Sequence, residues 1–395
     1  MKIAGIIAEY NPLHSGHVLL MKKLRENGAE SIAVVMSGNF VQRGSAAILS
    51  KYARAREALA CGADLVIELP LPWAVSGAEH FALGGVSLLT ALGADTIAFG
   101  SECGEVKALR KAQAALSSPQ LHNAIAKSLQ NGITFAAARQ KAVCSLFGNE
   151  TAELLGKPNN ILGIEYLKAV ETLHSPLEPF TIKREGNAHN SCSVFAGNAS
   201  SAAVRKKILS GDDFSGFMPK EAYDIVQEEI RCGHAPASFA SLELAVPAVL
   251  RRMEKNDFSH LPDLSEGLEN RIYNAVQNSG SLTEILRQAK SKRYPLARIR
   301  RIVLSAFLGI DASLAAGLPP YLHILGIGKN GAKILRAAKE KNMLPILSRY
   351  ADRSLLGEHA QRIFDLEDRS SDLYALCLPK PAPCGLDRSR KMIVL

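Results

Sequence analysis

Two stretches of this chain nearly repeat each other: Ala60-Cys61-Gly62-Ala63-Asp64-Leu65-Val66-Ile67 and Ala91-Leu92-Gly93-Ala94-Asp95-Thr96-Ile97-Ala98. Each reads as a helix closed by a glycine that passes at once into a short apolar strand. Ile3–Ala8, Ser31–Met36, Leu65–Leu69 and Thr96–Gly100 are all such strand-like runs, with amphipathic segments between them. Alternating strands and helices joined by short links predict an α/β fold with a doubly wound parallel sheet covered by helices on both faces. Ligands on such sheets bind beyond the carboxyl ends of the strands, where His14, Ser37 and Gly100 fall. From about residue 206 the pattern turns mainly helical, with helical spacing in Lys220–Arg231, Ser241–Lys255, Glu266–Asn278, Ser281–Lys292 and Gly331–Lys341. Gly211–Gly216 marks a boundary between residues 1–210 and a mainly helical domain over 211–395. Leu325–Ala332, with three glycines around Lys329, reads as a small anion-binding loop.

The first strand ends at a breaker, Asn11-Pro12, and a helical pattern follows. His14 and His17 therefore arrive in the first turn of a helix, three residues apart and on one face. Gly16 lets a ligand approach the backbone. A helix N-terminus already favours anions, so two imidazoles placed there suit a phosphate chain that gains charge as it reacts. The blander alternative is a pair of surface histidines beside a loop glycine.

The chain has 395 residues, 47% of them hydrophobic, which is ample for a large core and more than one domain. No run approaches the roughly 20 apolar residues that cross a bilayer. Only Lys2 precedes the first strand pattern and no cleavage site follows, so neither a membrane protein nor a secreted one is expected. Seven scattered cysteines, Cys192 among them, without a C-x-x-C spacing, point to reduced cytoplasmic thiols and away from a disulfide framework or a zinc knuckle. Residues 1–200 hold 18 basic and 16 acidic side chains, so most of the net charge of +9 lies in the later half. That asymmetry suggests a polyanionic partner there.

Ser200 and Ser201 open a helical segment, and Arg205 follows one turn later on the same face, a combination that grips phosphate. An ordinary serine cap is the competing reading. Lys157-Pro158-Asn159-Asn160 precedes another helical run, and one of its asparagines reads as the cap. Lys183 and Arg184 form a basic pair suited to phosphate or RNA. Arg287–Arg301 holds seven basic residues, Arg287, Lys290, Lys292, Arg293, Arg298, Arg300 and Arg301, and no acidic one. With Tyr294 for stacking, this run reads as a surface for an RNA backbone, extended by Lys329, Lys333 and Arg336. Spacing puts Arg298 and Arg301 on one helix face.

His14-Ser15-Gly16-His17 after an opening strand resembles the H-x-G-H signature of the nucleotidyltransferase superfamily, which implies a Rossmann-like domain over 1–210. Ala8-Glu9-Tyr10-Asn11-Pro12, Val35–Gly44 and Lys157–Gly163 together narrow the resemblance to the bacterial tRNA(Met) cytidine acetate ligase family. The resemblance implies that His14, His17 and Arg205 are catalytic. It also implies that ATP is held by Ile7, Ala8, Glu9, Tyr10, Asn11, Pro12, Gly16, Leu20, Gly100, Arg184, Ser200 and Ser201 and by Asn159 or Asn160. Ala199–Lys206 is similar to the superfamily's second signature, with Ala202 where threonine is usual. The implied reaction activates acetate with ATP, magnesium accompanying it, as acetyl-adenylate. The acetyl group then passes to N4 of the wobble cytidine of elongator tRNA(Met). From its place after the second strand, Ser37–Gly44 reads as a loop over the reacting centre, whose polar groups are suited to position acetate or the cytosine ring. The rivals are a small-molecule adenylyltransferase, which would not need a basic helical half, and a non-catalytic tRNA-binding protein.

Overall fold

The computed structural model describes residues 2–129, 135–184, 200–265 and 267–395. Its strands are β1 (Ile3–Ala8), β2 (Ser31–Ser37), β3 (Phe40–Val41), β4 (Ser45–Ala46), β5 (Leu65–Leu69), β6 (Thr96–Ser101), β7 (Glu178–Lys183), β8 (Leu322–Ile327), β9 (Ile346–Leu347) and β10 (Ile393–Val394). Eight of them build one sheet in the order β10-β8-β5-β2-β1-β6-β7, with β9 beside β8. Strands β5, β2, β1, β6 and β7 run parallel. The four strands read from sequence therefore form, and the predicted doubly wound α/β fold is the one found. The order reverses between β1 and β6, and that switch point is where such a sheet opens a crevice for ligands.

Both faces of the sheet are buried, as a helix-covered parallel sheet requires. Ile3, Ile7, Ala33, Val35, Leu65 and Ile67 enter one apolar cluster. Ala4, Ile6, Ile32, Val34 and Val66 enter the other. The period-two alternation of each strand thus sends successive side chains to opposite cores.

Residues 211–395 are mainly helical, but they also complete the sheet. The stretch read as an anion-binding loop supplies part of β8, which pairs antiparallel with β5. The turn after it serves the chain's own carboxylate instead: Asn330 donates its backbone N–H and its Nδ2 to Asp64 Oδ1 at 3.3 and 3.2 Å. Asp64 precedes β5, at the amino end of the sheet. Lys329 and Lys333 therefore sit at the end opposite the crevice and do not extend the basic patch. Helices at Lys220–Arg231 and Gly331–Lys341 match the reading. Ser241–Lys255 instead breaks into short pieces, with an α-helix only over Ala245–Leu250. The Glu266–Asn278 and Ser281–Lys292 patterns shorten to helices Leu268–Gln277 and Leu282–Ala289.

Helix α1 (Ser15–Glu26) follows β1, and helix α2 (Lys51–Ala60) lies between the β3–β4 hairpin and β5. Lys51, Arg54 and Glu57, three residues apart, are all buried in α2. Lys51 Nζ donates to both oxygens of Glu68 on β5, at 3.1 and 2.8 Å, and pairs with Asp387 Oδ2 at 2.6 Å. His323 on β8 adds its Nδ1 to Glu68 Oε2 at 2.8 Å. Burial opposes ionisation of Glu68, but the Lys51 ammonium and then His323 outweigh it and hold the carboxyl well below its usual range. This cluster ties the C-terminal residues to the N-terminal sheet. Lys51→Met removes one partner and leaves two acids buried, so it should cost about 3–5 kcal/mol. A urea denaturation midpoint close to that of the unaltered protein would show that the cluster does not hold the two halves together.

Candidate active site

The carboxyl ends of β1 and β6 open into a cavity of about 590 Å³, within the range of small-molecule sites. Glu9 and Tyr10 continue β1 into it, and the backbone is strained there, with Tyr10 at φ 44°. An αL conformation at a bulky residue costs free energy and persists where surrounding contacts impose it. Arg54 supplies such contacts from behind. Its fully buried guanidinium donates to Leu49 O at 3.1 Å, Glu9 O at 2.6 Å, Ser37 O at 3.0 Å and Gly38 O. One cation thus gathers the ends of β1 and β2 around the crevice.

His14 is the N-cap of α1 and His17 stands three residues on, as in a capping box with imidazoles in place of hydroxyl and carboxylate. His14 Nδ1 accepts the Gly16 N–H at 3.1 Å, and His17 Nδ1 accepts the His14 N–H at 3.2 Å. A ring nitrogen that accepts carries no proton, so each neutral ring is protonated on Nε2 and can donate from there. The rings stack at 3.8 Å, and the Tyr10 ring meets His17 edge-on at 4.9 Å. Desolvation, then the His14 ring and the Arg184 guanidinium, lower the His17 pKa well below 6.5. His17 is therefore a neutral donor at physiological pH.

Across the cavity stands helix Ser201–Ser210, ten residues long. Its cap Ser200 accepts the Ala203 N–H at 3.3 Å, Ser201 Oγ donates to Pro12 O at 3.4 Å, and Arg205 donates to Asn11 O at 2.5 Å. Burial, with Glu9 opposing it, lowers the Arg205 pKa, yet a guanidinium keeps its charge. A third wall comes from helix Pro158–Thr172. Glu102 caps it, accepting the Asn159 N–H and Nδ2 at 3.2 and 2.8 Å and the Asn160 N–H at 2.8 Å. Gly100 leaves room for Arg184, whose Cγ would lie 3.0 Å from a Cβ added at the glycine.

Of the residues expected around ATP, Ile7, Ala8, Glu9, Tyr10, His14, Gly16, His17, Leu20, Gly100, Asn159, Arg184, Ser200, Ser201 and Arg205 all line this cavity. Asn11, Pro12 and Asn160 stand behind its wall. Asn160 is spent internally, accepting from Cys103 N at 3.1 Å and donating to Leu154 O at 3.3 Å. Asn11 Oδ1 accepts the Ile48 N–H at 2.8 Å. Glu102 and Arg54 were not foreseen. Glu102 had a faint signal, a carboxylate just past a strand's end; Arg54 had none. Cys192 lies outside the described residues.

The basic run is divided by the structure. Arg287, Lys290, Lys292, Arg293 and Arg300 are exposed. Arg298 and Arg301, expected to face RNA, turn to Asp263 instead. Arg298 donates to its carbonyl at 2.9 and 2.8 Å, and Arg301 to its Oδ2 at 3.0 and 2.6 Å. Their shared helix face is real, but an acid from another element occupies it. Tyr294 is buried, with the Arg298 guanidinium over its ring, and is not offered for stacking. Helix Leu296–Leu308, which carries Arg300, touches the β3–β4 hairpin beside the cavity: a Cβ at Gly44 would stand 2.6 Å from Arg300 C and Arg301 N.

Glu68, His323 and Glu367 have donor atoms within 4.8 Å of one another, the arrangement among the described residues that most resembles a metal site. Lys51 already occupies both Glu68 oxygens and Leu71 N–H donates to Glu367 Oε1 at 3.2 Å, so three of the four carboxylate oxygens are committed to the chain itself.

The neutral state of His17 has a direct test. Its nitrogen resonances should remain those of an Nε2–H ring from pH 8 down to pH 6, where an unperturbed histidine titrates near 6.5. Because the unfolded chain takes up this proton and the folded chain does not, stability should fall as pH drops below 6.5. Titration of His17 near 6.5 would remove both effects.

A model of the family described as HIGH Nucleotidyl Transferase matches residues 1–387. The protein of Acetivibrio thermocellus named tRNA(Met) cytidine acetate ligase is 35% identical, with the whole of both chains covered. Its namesake from Thermoanaerobacter sp. is 37% identical over the whole of both chains. That of Syntrophomonas wolfei is 38% identical, covering 97% of this chain and 96% of its own. Two crystal structures of Thermotoga maritima TmcAL, each 29% identical and matched over 100% of both chains, superpose with TM-scores of 0.94 for the apo form and 0.92 for the form bound with alpha-thio ATP.

Proposed function

The chain belongs to the tRNA(Met) cytidine acetate ligase family of the HIGH nucleotidyl transferases, and from that premise we propose how its own residues drive an ATP-dependent acetylation of tRNA(Met). The observation that carries the proposal is the arrangement of two Nε2-protonated imidazoles opposite Arg205 and a helix N-terminus, at the switch point of the sheet. ATP lies with its phosphates between α1 and helix Ser201–Ser210. Asn159, which lines the cavity, meets the nucleotide, and Asn160 supports the wall behind it.

In the first step an oxygen of acetate attacks the α-phosphorus. A P–O bond forms, the bond to the β-phosphate breaks, and its electron pair leaves on pyrophosphate. His14, His17 and Arg205 donate to the oxygens where that charge grows, which stabilises the transition state more than bound ATP. Donors that need not lose or gain a proton suit this task. Magnesium would accompany the triphosphate as its counter-ion and would offset its charge. Of the carboxylates that line the cavity, Glu9 accepts the Gln42 N–H at 3.0 Å and Glu102 caps a helix, so the phosphate oxygens would be its main ligands.

In the second step N4 of the wobble cytidine attacks the acetyl carbonyl. The C–N bond forms, the C–O bond to AMP breaks with its electron pair left on the AMP phosphate, and the proton that N4 gives up passes to solvent. The exocyclic amine of cytosine is a weak nucleophile because its lone pair is delocalised into the ring, so an activated mixed anhydride is required. The base must also leave its stack to reach the cavity. Arg287, Lys290, Lys292, Arg293 and Arg300 hold the RNA backbone, and the packing at Gly44 brings that surface to the cavity's edge. The described cysteines are free thiols, which suits work in a reducing cytoplasm. No helix among the described residues is long and apolar enough to cross a membrane.

Labelled acetate should appear on the wobble cytidine of elongator tRNA(Met) only when ATP is supplied. His17→Ala should lower acetate-dependent pyrophosphate release by roughly 10²–10³-fold, with tRNA affinity retained. Label donated equally well by acetyl-CoA without ATP would overturn the ligase mechanism. Exchanging Arg287, Lys290, Lys292 and Arg293 for glutamine should weaken tRNA binding and reduce its salt slope by about one for each phosphate no longer neutralised. Arg298→Gln should instead lower the melting temperature and leave that slope unchanged; the opposite pattern would move the RNA surface to the Asp263 side.

A further inference from the structure

The first step brings together two anions, a carboxylate and a triphosphate, which repel each other unless a cation stands where they meet. His14, His17, Arg184 and Arg205 lie on the walls assigned to the nucleotide. A further cation reaches the same cavity from a separate element. Arg43 stands at the tip of the β3–β4 hairpin, whose strands pair Phe40 with Ala46 and Val41 with Ser45.

Among the described residues, two interactions help to hold that tip. The Gln42 N–H donates to Glu9 Oε1 at 3.0 Å, which pins the hairpin over the end of β1. On the other side Gly44, at φ +71°, closes the turn by donating to Val41 O at 2.9 Å and packs against the backbone of Arg300 and Arg301. A side chain at position 44 would strain the turn and drive it off helix Leu296–Leu308. Arg43 is thereby held close enough to Arg205 for the two charges to interact. It lines the same cavity as Arg205, next to the residue that packs against helix Leu296–Leu308.

We propose that Arg43 binds the carboxylate of the acetate substrate and sets one of its oxygens against the α-phosphorus. This rests on the ligase reading above and names a residue for its second small substrate. A planar guanidinium matches a carboxylate in two parallel hydrogen bonds, which orients the nucleophile as well as neutralising it. No proton is transferred in this step: the carboxylate oxygen forms the O–P bond as pyrophosphate departs with the electron pair of the broken P–O bond. The place of Arg43 also meets the demand of the second step: the acetyl group must end on the side from which cytidine arrives, and the hairpin is the wall that touches the basic helix.

The test compares Arg43→Ala and Arg43→Lys with the unaltered protein in acetate-dependent pyrophosphate release, and in acetylation of tRNA(Met) from chemically prepared acetyl-adenylate. Arg43→Ala should raise the KM for acetate by roughly 10–100-fold, the worth of a charged hydrogen-bonded pair, with the KM for ATP changed less than about threefold. Arg43→Lys should recover part of the loss, since it keeps the charge without the fork. Supplied acetyl-adenylate should restore tRNA acetylation by Arg43→Ala to nearly the unaltered rate. Equal rises in both KM values would make Arg43 a nucleotide ligand, and a defect that acetyl-adenylate does not bypass would place it in the transfer step; either result overturns the proposal. If the unaltered protein is active and Arg43→Ala matches it, the Arg43 role alone falls. If the unaltered protein releases no pyrophosphate with acetate, the ligase reading falls with it.

Discussion

A single buried guanidinium holds the crevice in shape. Arg54 is shut off from solvent, and a charge in that position is tolerable only if oriented dipoles replace its water. The carbonyls of Leu49, Glu9, Ser37 and Gly38 do so. Two of those carbonyls belong to the end of β2 and its following turn, and one to the residue just after β1. Glu9 leads through the strained Tyr10 to the His14–His17 pair; Gly38 leads to the hairpin that carries Gln42 and Arg43. The geometry of the imidazoles and the place of the hairpin thus depend on one buried side chain that stands behind the cavity wall.

The second half of the chain is joined to this arrangement by charge as well as by apolar burial. Lys51, one turn before Arg54, pairs with Glu68 and with Asp387 from near the C-terminus. Asn39 accepts the Lys51 N–H through Oδ1 at 2.8 Å and donates through Nδ2 to Ser371 at 3.0 Å, while Tyr374 donates to Ala47 O at 2.9 Å. The segment between β2 and α2 is therefore sandwiched between the crevice and helix Glu358–Tyr374. Strand β8 adds backbone pairing on the far side of β5. The basic helical surface is consequently tied directly to the elements that build the crevice.

Periodicity made much of this legible. Ile3–Ala8 and Leu65–Leu69 emerge with the bounds their apolar runs suggest, because a strand buried on both faces needs an unbroken run of such residues. β7 went unread: Glu178–Lys183 mixes polar and apolar residues, as an edge strand with half-exposed side chains does. Helix α2 was harder still. Lys51, Arg54 and Glu57 at helical spacing look like a solvated face, yet all three are buried. Nothing local distinguishes a charge that meets water from one that meets a distant carboxylate or a set of carbonyls. Arg298 and Arg301 failed in the same way, since Asp263 lies far along the chain.

The order of residues by itself determined the strand–breaker–helix at the N-terminus, the parallel winding and the pairing of His14 with His17 on one helical turn. These follow from interactions among near neighbours, whose geometry the backbone repeats dictate. Only the tertiary structure decided that Arg205 and Ser201 come to face those histidines from nearly two hundred residues away, that Asn159 and not Asn160 reaches the cavity, and which basic residues stay exposed. Those outcomes depend on which distant groups desolvate a charge or supply its partner, and that is settled when the sheet closes against its helices.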